Sequence, residues 1–107
     1  MHYTAAHHYD PSLASFKDFA PFWEFVSGPL NAGTFGPSAL DMTFCPEVRF
    51  VKAPTAEQGQ NLPPSAGLQF FGLVDIDGAT GQMTVRLMDR EDAELWKITL
   101  DPAPEGA

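Results

Sequence analysis

Beyond residue 8 the chain contains no histidine: its three, His2, His7 and His8, sit in the opening stretch MHYTAAHHYDP. Cysteine is scarcer still. Cys45 stands alone, which excludes an internal disulfide and leaves the redox compartment open. Cations are few, with six Lys and Arg against fourteen Asp and Glu and a formal net charge of -8. That shortage argues against a nucleic-acid partner, because neutralising phosphates requires clustered cations. It argues against an anionic membrane surface for the same reason. No stretch approaches the roughly 20 apolar residues of a membrane span. No basic segment followed by an apolar run marks a secretory signal. Internal repeats are absent, and so are the G-x-S-x-G and G-x-x-x-x-G-K-[ST] signatures. The glycines of SGPLNAGTFGP are not spaced like a phosphate cradle and read as a tight loop packed by Leu30 and Phe35.

What the chain does have is apolar material. Hydrophobic residues make up 44% of its 107 residues, with nine Phe and two Trp, enough for a modest core in one domain at most. Ten Pro and nine Gly require that much of it be loop. Residues 1–65 and 66–101 follow different grammars, and 102–107 form a tail. In the first part, residues 2–15 read as loop. SFKDFAPFWEFVSG then predicts one short helix, with Phe16, Phe19, Trp23 and Val26 on one face. Asp18 would cap that helix and Gly28 would stop it, although Phe22 and Phe25 lie off the stripe. From Asn31 to Ser65 glycines and prolines recur, and only residues 44–53 look strand-like. So long an irregular connection predicts a functional loop or one packed on something else. In the last third, residues 68–77, 82–89 and 94–100 predict a three-stranded antiparallel meander with turns at 77–81 and 90–93. Phe70, Val74 and Ile76 share one face with Gly72, while Phe71, Leu73 and Asp75 share the other. Trp96, Ile98 and Leu100 oppose Lys97 and Thr99. Strands apolar on both faces predict cover on both sides. The expected class is therefore α+β: a meander, one short helix and long loops, behaving as part of a two-layer fold.

The histidines are the candidate chemistry. Zinc takes about four N, S or O ligands, with three from protein in catalytic sites, and a two-metal hydrolytic centre needs more. Adjacent His7 and His8 point to opposite faces of an extended chain, so both ligating one ion is awkward. Asp10 could add an oxygen, giving a weak single-metal site at His2, His7 and Asp10 as one reading. Exposed histidines near a terminus are the plainer one. Asp75, Asp77, Asp89, Glu91 and Asp92 read as surface charge. Cys45 has no histidine near it in sequence to activate it as a nucleophile.

Three long stretches, HYTAAHHYDP, FWEFVSGPLNAGTFGPSALDMTF and LPPSAGLQFFGLVDIDGATGQMTVRL, resemble the C-terminal end of the alkaline phosphatase D (PhoD-like) metallophosphatases. The resemblance covers nearly the whole chain. It implies a metal-dependent phosphoesterase, with phosphate esters as substrates and divalent or trivalent ions in a two-metal site. The implied fold is a β-sandwich flanked by helices, similar to the calcineurin-like and purple acid phosphatase architecture. The family's last metal-binding block reads like G-D-V-H-Y. Met-His-Tyr matches its end, which implies a metal-ligand role for His2 and places Tyr3, His7 and Asp10 as lining of the active site. Met1 stands where that block has Val, as a GTG start codon would give. The preceding ligands of the family are absent from these residues. Relatives are commonly exported, often by twin-arginine signals.

Two expectations follow. In the first, the chain is a C-terminal fragment of a phosphodiesterase or phosphomonoesterase, inactive alone, holding no metal stably and prone to self-association through its uncovered sheet. In the second, it is a free-standing β module that binds a protein partner through that apolar face.

Overall fold

The structure is a computed structural model that describes residues 2–37 and 39–103. Met1 and the end of the predicted tail lie outside those residues. Six strands appear in chain order: β1 (Thr4–Tyr9), β2 (Phe22–Ser27), β3 (Glu47–Lys52), β4 (Phe70–Ile76), β5 (Met83–Asp89) and β6 (Glu94–Leu100). They form two antiparallel three-stranded sheets, ordered β2-β1-β3 and β4-β5-β6. A 3-10 turn at Pro64–Ala66 separates them in sequence.

The second sheet is the predicted meander. Its register aligns Gly72, Leu87 and Trp96, then Val74, Val85 and Ile98, then Ile76, Met83 and Leu100 on one face. These nine positions carry no charge; Asp89 lies on the same face at its far end, opposite Phe70. The opposite face is mixed, with Phe71, Leu73 and Met88 beside polar pairs. There Arg86 bridges Asp75 at 2.5 Å and Glu94 at 3.1 Å, and Thr84 bonds Thr99 at 3.0 Å. These cross-strand polar pairs suit solvent over part of that face, while Phe71 and the buried Met88 keep its other end apolar.

The first sheet corrects two expectations. Among the described residues there is no α-helix, so the class is nearly all-β rather than α+β. The predicted helix is instead the extended β2. Pairing along β1 holds it extended, and Pro21 lies just before its first residue, where proline is tolerated. Residues 22–27 then alternate, with Trp23 and Phe25 on one face and Glu24 and Val26 on the other. The predicted loop at 2–15 contains β1, the central strand. Its Ala5 and Ala6 are fully buried, because small side chains let a strand be covered on both faces.

That double cover is visible on each side of β1. On one side, the rings of Trp23, Phe25 and Phe50 gather on Trp96 of the second sheet at 5.8, 6.1 and 6.2 Å. On the other, Tyr3, Ala5 and Val26 form a buried cluster with Ala53 packed against it. The long Gly/Pro stretch packs here rather than hanging free. Fully buried Thr34 accepts from the Asn61 amide at 2.7 Å through its carbonyl and from the Leu62 amide at 2.8 Å through its hydroxyl. Pro29 accepts from the Phe70 amide at 2.8 Å, which ties this loop to the start of β4.

Candidate functional site

Ala and His are weak strand formers, so β1 is a strand because partners pair along both its edges. That placement fixes every candidate residue in the opening stretch. His2 lies just before β1, where the loop 33–35 crosses it. Its carbonyl accepts from the Phe35 amide at 3.2 Å, and its ring meets the Phe35 ring edge-on at 4.5 Å. His2 Nδ1 lies 2.5 Å from the Gly33 carbonyl oxygen. A carbonyl oxygen only accepts, so Nδ1 carries the proton. In the neutral ring Nε2 is then the nitrogen with a free lone pair. A β-carbon at position 33 would lie 2.0 Å from Asn61 Oδ1, so the Asn61 side chain would have to move to admit one.

The other predicted residues are directed elsewhere. Tyr3 is buried in the cluster with Ala5 and Val26. His7 is directly opposite Glu24 on β2, and its Nδ1 donates to Glu24 Oε1 at 2.8 Å. The Tyr9 hydroxyl donates to the same oxygen at 3.0 Å. His7 is almost wholly buried while Glu24 is half-exposed, so the carboxylate joins a buried imidazole to the surface. Burial raises the Tyr9 pKa above its ordinary value, and the hydrogen bond to Glu24 and its negative charge add to the rise. His8 packs on Trp23 at 4.7 Å, and its buried Nδ1 has no partner. Asp10 folds onto its own turn, accepting the Ser12 amide at 2.9 Å, and that bond holds its carboxyl below the usual range.

These residues are therefore not gathered. Five residues of extended chain separate His2 from His7 by up to about 17 Å, too far to share an ion. Among the described residues no three His, Cys, Asp or Glu side chains are placed to hold a metal. A cleft between Gly36–Pro37 and Pro54–Gln60 has no titratable lining, so it brings no acid, base or ligand. Asp75, read from sequence as surface charge, is paired with Arg86. Sequence reasoning missed Glu24 and Gly33. Glu24 sat on a predicted helix, and its role appears only once β1 and β2 are paired. Gly33 acts through a backbone carbonyl, which has no residue signature.

The arrangement thus offers His2, held by a backbone carbonyl just before β1, and a separate His7–Glu24–Tyr9 group farther along β1 and its pairing with β2. The family model for PhoD-like phosphatases matches residues 1–87 of the chain. No curated protein and no solved structure matches it.

Proposed function

The chain belongs to the PhoD-like phosphatase family, and on that premise we propose that it is the C-terminal part of a metal-dependent phosphoesterase, contributing His2 as one metal ligand. The family is metal-dependent and acts on phosphate esters. Bound metal ions of this kind polarise a phosphate oxygen and lower the pKa of a water for in-line attack.

One observation carries the reading: His2 Nδ1 donates to the Gly33 carbonyl. Ligating histidines usually donate their second ring nitrogen to a carbonyl or carboxylate, which fixes the tautomer and aims the other nitrogen. The Phe35 ring restricts rotation on the remaining side. His2 is thereby prepared to ligate through Nε2; His7 is held in the same way by Glu24 but is almost wholly buried, Tyr3 lies in the buried cluster and Asp10 is turned onto Ser12. The remaining ligands would come from elsewhere in the complete protein, since the described residues hold no metal-binding group.

Manganese titration of the chain labelled at its histidine rings tests this without relying on turnover. The paramagnetic ion should broaden the His2 ring signals before those of His7 and His8, and His2→Ala should remove the effect. Earlier broadening at His7 or His8, or an unchanged pattern in the variant, would sink the assignment.

A further inference from the structure

His2 is held by the loop 33–35, and that loop is held in turn. The Gly33 carbonyl accepts from His2 Nδ1, and the Phe35 amide donates to the His2 carbonyl. Thr34, between them, serves different partners. Its carbonyl accepts from the Asn61 amide and its hydroxyl from the Leu62 amide. Two successive amides therefore end on one fully buried threonine. The 61–62 segment is shaped for this contact. Asn61 has a left-handed φ of 54°, which asparagine tolerates better than most residues, and its side chain fills the space beside the Gly33 α-carbon. The Gly33 carbonyl thus stands between His2 and a clamp made by Thr34, Asn61 and Leu62. The Asn61 bond uses backbone alone and is open to any residue at 34. The Leu62 bond needs the hydroxyl.

We propose that Thr34 is a positioning residue for His2: by accepting the Leu62 amide, its hydroxyl keeps the Gly33 carbonyl on His2 Nδ1 and so keeps Nε2 open. This role rests on the reading of His2 as a metal ligand. A neutral imidazole carries its proton on either nitrogen, and the hydrogen bond made by one nitrogen decides between them. A carbonyl fixed at Nδ1 holds the proton there. A carbonyl free to drift lets the proton pass to Nε2, the nitrogen that would take the metal. Thr34 acts only through that carbonyl.

Nitrogen-15 spectra of the histidine rings in the metal-free intact chain, taken with the rings neutral, test the proposal by reporting which nitrogen carries the proton. Wild-type His2 should be in the Nδ1–H form. Thr34→Val keeps the shape of the side chain and removes the acceptor. It should lower the ratio of Nδ1–H to Nε2–H at His2 by about threefold or more, as weakening one ordinary hydrogen bond would. The His7 signals should stay in place, because Glu24 holds that ring; a general loosening of the fold would move them too. Thr34→Ser restores the hydroxyl without the methyl and should return the wild-type ratio, at some cost in stability. A wild-type His2 in the Nε2–H form, an unmoved ratio in folded Thr34→Val, His7 shifting together with His2, or a shifted ratio in Thr34→Ser would overturn the proposal. Should Thr34→Val fail to fold, the serine variant decides alone. The manganese titration stays a separate matter: no broadening at wild-type His2 would remove its ligand role and leave the tautomer result standing.

Discussion

A histidine is directed by whatever holds its second nitrogen, and this chain holds two of its histidines in different ways. A neutral carbonyl fixes the proton on His2 Nδ1 and leaves Nε2 to act as a Lewis base. A carboxylate holds His7 instead, and it shares that carboxylate with a phenol. Glu24 is thus the centre of a small polar network in which each donor depends on the same oxygen. The effect on Tyr9 is measurable. Burial is the main cause of its raised pKa, followed by the Glu24 hydrogen bond and charge. In a Tyr3→Phe background, which leaves Tyr9 as the only phenol, Glu24→Gln should bring the phenolate transition partway back toward the ordinary value. The remainder should persist because burial is unchanged. The linkage has a definite sign: a folded-state pKa above the unfolded one gives stability that is present below about pH 10. That contribution disappears as pH rises through the raised value, and Glu24→Gln should shrink it. Ultraviolet titration reads the phenolate directly. An unmoved transition would mean that Glu24 does not hold the Tyr9 hydroxyl.

At the level of elements, the two sheets meet through Trp96, which lies among Trp23, Phe25 and Phe50. Aromatic groups of this kind account for much of the energy of a small core. Trp96 is only half-buried, so Trp96→Ala should cost about 2–3 kcal/mol, below the ~3–5 of a fully buried aromatic. Urea unfolding measures it, and a loss under about 1 kcal/mol would show that the sheets hold together by other contacts. The same elements show what sequence could reveal. The meander was readable because β4, β5 and β6 alternate and are punctuated by Asp-Gly and Asp-rich turns. β2 was not, because a nearly continuous apolar run satisfies both helical and extended spacing. Phe22 and Phe25, lying off the supposed helical stripe, were the signal of the extended form. β1 was hidden for a different reason. Its Thr-Ala-Ala-His-His-Tyr has little strand preference of its own, and only neighbours distant in sequence make it one. His2 was found through family resemblance, whereas its Gly33 partner could be found only from the loop's path.

The whole molecule is a plate, 48 × 37 × 16 Å with a radius of gyration of 15.7 Å, against about 13 Å for a compact chain of this length. A plate buries little, and among the described residues no three potential ligand side chains converge on one point. This geometry bears on activity more strongly than composition does. A two-metal centre needs bridging and terminal ligands for both ions, and catalytic zinc alone takes three from protein. The described residues orient two histidines, His2 and the nearly buried His7, and do not bring them together. The chain alone should therefore hydrolyse bis(p-nitrophenyl) phosphate no faster than the blank, with manganese, zinc, calcium or ferric iron supplied. The His2→Ala variant sets the baseline for that comparison. A metal-dependent rate well above it in the wild-type chain would mean that residues gather on binding which the folded chain keeps apart. A rate equal to it would agree with the proposal that His2 acts only with the rest of the phosphatase around it.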